Sequence, residues 1–296
     1  MKQNDAQIDD CDDKGGAELV ATSGSAGASR GSTTVPAGCR NVERDSQFAS
    51  TLSSGIDLLL CYHPGEPVLG NGDFAQRTGL SRSTVSRLTH TLVVLGYLRK
   101  DAQRGKYRLG ASVLAMGYPL LASMQIRQIA RPLMKNLADH VSGAVSLGIR
   151  DRTRMVYVET ARSTDSLVMT PDIGASIPLL STAMGRAWLC RAPAAEREMA
   201  LNQLRVNEPV HFQQFASHAY EARKAFEQRG YCVNHGEWRS DVFGFAVPLA
   251  KPLDGSLFVV NCGTSAQAGR FAEVERDIAP RLIALVRNVE VLVGLT

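Results

Sequence analysis

The sequence predicts an α+β protein: an N-terminal winged helix-turn-helix, a linker helix, and a larger α+β domain with an antiparallel sheet flanked by helices. Three observations carry that prediction. Residues 74–109 place a glycine-closed turn between two helical patterns and follow them with two short basic strands. That stretch holds eight cations (Arg77, Arg82, Arg87, Arg99, Lys100, Arg104, Lys106, Arg108) against one anion, Asp101, a local +7 in a chain whose total is +4. Such concentration suits a polyanion such as double-stranded DNA. Beyond residue 124, strands and helices do not alternate strictly, which favours an antiparallel sheet over a doubly wound one.

Taken in order, residues 1–45 are rich in Gly, Ser, Ala and Asp and carry eight acids against five bases. Such a segment cannot bury enough surface to offset its ordering entropy and is expected to be a disordered tail. The DNA-binding domain is expected over 46–110. Its first helix starts near Ser53, with Ile56, Leu59 and Leu60 on one face, and ends near His63-Pro64-Gly65. Residues 70–75 match the dinucleotide-binding GxGxxA, but a proline-bearing loop precedes them and no βαβ unit follows. Asn71 or Asp73 is read instead as the cap of the helix leading to Gly79.

Gly79 can take the left-handed conformation that closes a helix, and Ser81 stands where the next helix needs its N-cap. Over 82–95, Val85, Leu88, Leu92 and Leu95 recur at helical spacing as a buried stripe. The opposite face shows Ser83, Ser86, Arg87 and His90, flanked by Arg82 and Thr84. Strands at 97–100 and 106–109 form the wing, which adds Arg99, Lys100, Arg104, Lys106 and Tyr107 to the candidate DNA contacts. The competing reading is a solvated helical hairpin that happens to be basic.

The linker helix is expected over 111–123. Val113, Leu114, Leu120 and Leu121 exceed what one face buries within a monomer, which predicts a dimer surface, and Pro119 is expected to kink or shorten it. The next helix places Ile126, Ile129, Leu133 and Leu137 together. Within 124–296, strands are expected at 144–150, 155–161, near 167–170, and at 231–234, 243–250 and 256–262. Helices are expected at 182–191, 196–204 and 215–228. A closing helix carries Phe271, Val274, Ile278, Leu282, Leu285, Val289 and Leu292 on one side.

At 296 residues and 44% hydrophobic content the chain has room for two modest domains. It has no apolar run long enough for a membrane span and no secretory h-region, so a cytoplasmic location is expected. The six cysteines are scattered, with no CxxC and no clustering with histidine, so neither a disulfide framework nor a zinc site is expected. There is no HExxH, no GxSxG elbow between a strand and a helix, and no P-loop. Glu159, Asp165, Asp172, Glu237 and Asp241 read as surface or loop carboxylates. A binder is expected, not an enzyme, with no metal and no cofactor.

One binding place is suggested by the residues alone. Ser181 or Thr182 can cap a helix beginning LSTAMG, leaving the first-turn amides of Thr182, Ala183, Met184 and Gly185 to face a small anion such as a carboxylate. An ordinary capped helix start explains the same residues equally well.

The segments TGLSRSTVSRL, LGYLRKD, GKYRLG, GASIPLLSTAMGRAWL and RGYCVNHGEW resemble IclR-type regulators in order and spacing, over about residues 53–294. That resemblance implies a GAF-like sensor domain at 124–296 with a metabolite beside the helix start. Its pocket would be completed by Asn234, Gly244, Val260 and Cys262. Asn234, Gly244 and Val260 depart from residues found in better-known members, which implies a less polar pocket and a larger organic acid, aromatic acids included. The resemblance further implies a ligand-responsive transcription factor, dimeric or tetrameric, on a pseudo-palindromic operator. Two rivals stand beside it: an architectural DNA binder whose second domain only oligomerises, and an enzyme fused to a DNA-binding module.

Overall fold

The structure is a computed structural model that describes residues 46–165, 171–266 and 271–295. The expectations for residues 1–45 and for a strand near 167–170 lie outside the described residues.

Three helices and a hairpin build the first lobe: α1 (Ser50–Leu60), α2 (Asn71–Thr78), α3 (Arg82–Val94), β1 (Leu98–Asp101) and β2 (Lys106–Leu109). Gly79 ends α2 at φ +74°, its amide bonding Ala75 O at 2.9 Å. At the head of α2 the Asp73 carboxylate accepts from the Gly70 amide at 2.7 Å, so Gly70 is the cap position and Asp73 the residue reaching back to it. Leu58, Leu69, Phe74, Val85, Leu92, Leu98 and Tyr107 form the core. Two sequence expectations are corrected. On α1 the buried residue is Leu58, while Ile56 and Leu60 are about half exposed, because the helix turns its Gly55 side toward Leu88 of α3. On α3 the stripe ends at Leu92. Leu95 lies past the last helical residue and is exposed, and Thr89 fills the interior, its hydroxyl bonded to Val85 O at 2.9 Å.

Helix α4 (Ala111–Ser123) runs through Pro119 without a break and buries none of its residues. The shortening that the proline led one to expect is corrected: α4 spans the full 111–123. A proline removes one backbone bond, and α4 carries on across the gap.

The second lobe is a six-stranded antiparallel sheet, order β5-β4-β3-β8-β7-β6. Its strands are β3 (Ala144–Asp151), β4 (Arg154–Arg162), β5 (Ser176–Pro178), β6 (Cys232–His235), β7 (Val242–Pro248) and β8 (Val259–Ser265). Helices α5 (Gln125–His140) and α9 (Phe271–Leu292) cover one face, over Val145, Leu147, Phe243, Phe245, Val260 and Cys262. The other face packs on α6 (Ala183–Arg191), backed by α7 (Ala194–Asn207) and α8 (Pro209–Arg229). Both faces are therefore apolar, and β7 is buried at every residue. On α5 the inward residues are Ile126, Ala130, Met134, Leu137 and Ala138, so Ile129 and Leu133 sit at the margin. On α9 the stripe ends at Val289, and Leu292 is exposed. Among the described residues no helix is long and apolar enough to cross a membrane.

Candidate DNA-reading face and effector pocket

The head of α3 is built by local hydrogen bonding. Ser81 sits in extended conformation, and its Oγ accepts from the Thr84 amide at 3.2 Å and contacts the hydroxyls of Ser83 and Thr84 at 2.9 Å. Arg82, Ser83, Ser86, Arg87 and His90 are exposed, and Thr84 is half-buried. Because Val85, Thr89 and Leu92 fix the inward side, these residues share the opposite one.

In the wing, Asp101 Oδ1 accepts from the amides of Gln103 and Arg104, and Gly105 takes φ +61°. The turn thus holds Arg104 out, with Arg99, Lys100 and Lys106 exposed on the strands. Tyr107 is corrected to a core residue. Only 8% exposed, it has its ring 6.1 Å from that of Phe74, and its backbone exchanges hydrogen bonds with Leu69. Alternation along β2 sends Tyr107 inward and its neighbours outward. Arg77 is likewise engaged internally, by Glu66 at 2.6 Å and Cys61 O at 2.7 Å.

In the second lobe Thr182 caps α6, its Oγ1 accepting from the Gly185 amide at 3.1 Å and donating to Pro178 O. That occupies Gly185 and leaves the amides of Ala183 and Met184 as the helix-start donors without an intrahelical acceptor. Gly185 serves packing: a β-carbon there would lie 2.0 Å from Leu179 O. Beneath the helix start the sheet is lined by glycines. A β-carbon on Gly244 would meet Asn234 Cβ at 3.4 Å, Ala183 Cβ at 3.5 Å and Asn261 Oδ1 at 3.9 Å. One on Gly148 would strike Met184 Sδ at 2.6 Å. Ala183, Met184, Asn234 and Gly244 are therefore brought together.

Val260 and Cys262 are not, and both are corrected. They point to the α5/α9 face, where burial pushes the Cys262 thiol up to about 12, with Asp277 adding to it. The β8 residue that looks toward the helix start is Asn261, paired across the ladder with Ser146 and Ala246. Ser146 and Thr160 join hydroxyls at 3.1 Å on the same face. The sequence reading missed these three; alternate glycines in LGIR, FGFA and NCGT were the signal that could have found them.

Charged groups frame this region. Arg186, only 3% exposed, donates to Leu180 O, Val233 O and the Glu237 carboxylate. Burial pushes Glu237 up, but the hydrogen bond and charge of Arg186, with backbone amides, outweigh it and hold the carboxyl below its usual 4.5. His211 approaches Ser181 Oγ at 3.3 Å and is kept below 6.5 by burial. Glu159, expected at the surface, is instead buried beside Arg127 at 3.0 Å. Arg127 also donates to Val158 O in β4 and to Leu121 O in the last turn of α4.

Residues 51–102 match the IclR helix-turn-helix domain, and residues 119–290 match the C-terminal region of bacterial IclR transcriptional regulators. The chain is similar to the HTH-type transcriptional regulator TsaQ1/TsaQ2 of Comamonas testosteroni, with 32% identity across 84% of this chain and 90% of that one. A crystal structure of an IclR family transcriptional regulator from Brucella abortus is 41% identical, superposes with TM-score 0.74, and covers 84% of this chain and 94% of its own. An IclR homologue from Microbacterium hydrocarbonoxydans, solved with 4-hydroxybenzoate, shares the fold at TM-score 0.64 and 18% identity, over 83% of this chain and all of its own. These are transcriptional regulators and not enzymes. A helix-turn-helix domain followed by an α+β domain is the arrangement the family models describe, and the chain belongs to the IclR family of bacterial transcriptional regulators.

Proposed function

We propose that the protein is a ligand-responsive transcription factor of the cytoplasm that binds a pseudo-palindromic operator as a dimer or a dimer of dimers. Each copy presents the outer side of α3 to a major groove, with Arg82 and Arg87 reaching guanine edges or phosphates and Ser81, Ser83, Thr84, Ser86 and His90 supplying shorter contacts. Arg99, Lys100, Arg104 and Lys106 of the wing follow the backbone. The observation that carries this reading is that every polar and cationic residue of that helix side is turned away from the lobe's core.

The effector is an organic acid whose carboxylate takes the amides of Ala183 and Met184, with Thr182 and Gly185 shaping the helix start. Its body would rest on Gly148 and Gly244, within reach of Asn234, Asn261, Ser146 and Thr160. Met184, a flexible side chain lying across Gly148, would swing aside to admit it. The ligand of the Microbacterium neighbour, 4-hydroxybenzoate, is an acid of the size and aromatic character that these small residues favour. Displacement of β4 would pass to α4 through Arg127, which holds both. A response follows only if the acid binds two placements of the reading helices with different affinity.

The test is operator binding by fluorescence anisotropy across a salt series, with and without aromatic and aliphatic acids. Arg87→Ala is expected to cost about 1–3 kcal/mol and relax base preference, whereas Lys106→Ala lowers the salt slope by about one. Unchanged affinity and selectivity in Arg87→Ala would overturn the reading of α3. DNA affinity indifferent to every acid would favour an architectural binder instead.

A further inference from the structure

Two thiols meet at the far end of α6, away from the helix start. Cys190, next to last in α6, and Cys232, first in β6, bring their sulfurs to 3.6 Å. Cys190 is half-buried and lines a cleft of about 410 Å³ with Arg191, Arg223, Phe226, Glu227 and Gly230, while Cys232 lies in the interior. The cleft gives a small polar oxidant a path to one sulfur and not to the other.

The electrostatics divide the labour. The hydrogen bond from Cys232 holds the Cys190 thiol below its ordinary range, against burial and aided by the guanidiniums of Arg223 (α8), Arg197 (α7) and Arg191 (α6). Glu227 of α8, on the cleft wall, is the one opposing charge among the lining residues. Cys232 is pushed well up by its hydrogen bond with Cys190 and by burial, with Arg186 and Arg229 working against that. A cleft-facing thiol held below its ordinary range, in contact with a shielded thiol held above it, is the arrangement of an attacking and a resolving cysteine.

We propose that Cys190 and Cys232 are a peroxide-oxidisable pair, a modification site separate from the effector pocket. The Cys190 thiolate attacks one oxygen of hydrogen peroxide. The O–O bond breaks, the leaving hydroxide takes a proton to become water, and Cys190 becomes a sulfenic acid while the peroxide is reduced. The Cys232 sulfur then attacks Cys190. The S–S bond forms, the S–O bond breaks, and the hydroxyl departs with the Cys232 proton as a second water. The sulfurs must close from 3.6 Å to the roughly 2.05 Å of a disulfide. The bond would tie the end of α6 to the start of β6, two elements already joined by Arg186 to Val233 O, with Asn234 also held to Ser181 O just before α6.

Peptide mapping of the full chain decides it. Trypsin releases Cys190 in 187–191 and Cys232 in 230–239, each with a single cysteine. After a low molar excess of peroxide and alkylation, the two peptides are expected joined and about 2 Da lighter than their sum. Cys232→Ser should trap Cys190 as a sulfenic acid that dimedone labels, and Cys190→Ser should leave Cys232 reduced. The proposal is overturned if both peptides remain fully alkylatable. It is overturned equally if Cys190 pairs with another cysteine, or if Cys232 oxidises at the same rate without Cys190.

Discussion

Gly185 lies in the first turn of α6 and Gly244 faces that helix start from β7, yet they are there for different reasons, and substitution separates them. A β-carbon at Gly185 would meet the Leu179 backbone, with the carbonyl oxygen at 2.0 Å and Cα at 2.5 Å, so Gly185→Ala must push main chain against main chain. A loss of about 3 kcal/mol or more is expected in urea unfolding. At Gly244 the nearest atoms are at 3.4 and 3.5 Å, close to ordinary contact. Gly244→Ala should fold with little change in Tm but lose the organic acid in calorimetry, because the methyl occupies the floor of the pocket. Retained binding would remove Gly244 from the site. His211 offers a pH handle on the same region. Burial depresses its folded pKa below 6.5 despite the raising influence of Glu208, so the unfolded chain takes up the proton first. Stability attributable to His211 is thus present above about pH 6.5 and lost as pH falls through that value toward the folded pKa. Melting from pH 7.5 to 5.5 should show the decline in wild type and a flatter profile in His211→Gln.

Helix α6 buries seven consecutive residues, 183–189, and one of them is Arg186. An arginine there is tolerable because two carbonyls and the Glu237 carboxylate surround it. Removing the carboxylate leaves a buried cation with no counter-charge, so Glu237→Ala should cost about 3–5 kcal/mol, while Arg186→Met combined with Glu237→Gln recovers a large part of that. Equal stability of Glu237→Ala and wild type in chemical denaturation would show that the pair is idle. The strands explain what the sequence could and could not disclose. Helix patterns placed α3, α5 and α9 because one side is wet and the other dry. Strand β8 has helices on both sides, so VVNCGTS is apolar or small in both parities, and nothing marks which side holds a ligand except Asn261. Val260 and Cys262 came into the pocket through the family resemblance alone, and the alternation of β8 turns both to the α5/α9 face, opposite Asn261. In β2 the alternation was legible, and the basic neighbours of Tyr107 drew it into the DNA surface against that pattern. Glu159 was illegible for another reason. Its partner Arg127 is far away in sequence, and spacing says nothing about such pairs.

For the whole molecule the unbalanced quantity is apolar surface. Leu114, Met116, Tyr118 and Leu120 of α4 are 57–77% exposed, and Leu52, Ile56 and Leu60 add a second exposed row on α1. Leu114 and Tyr118 share one side of α4, and Met116 and Leu120 share a nearly opposite one. A helix apolar all round belongs in an interior, and one chain does not supply it, so a second copy is the natural cover for patches of this kind. The proposed pseudo-palindromic operator makes the same demand: its two reading helices would have to be held about one helical turn of duplex, roughly 34 Å, apart. Leu114→Glu with Tyr118→Glu puts two charges on one side of α4 without touching a buried residue, so the fold should survive with an unchanged far-ultraviolet circular dichroism spectrum. Sedimentation velocity at micromolar protein should then show monomer, with wild type expected as a dimer or larger. Operator affinity should fall by orders of magnitude, toward that of a single half-site. Binding to an isolated half-site should change little, since α3 and the wing are intact. A variant that still sediments as wild type would place the dimer contact elsewhere. One that becomes monomeric yet binds the full operator undiminished would break the link between α4 and DNA recognition.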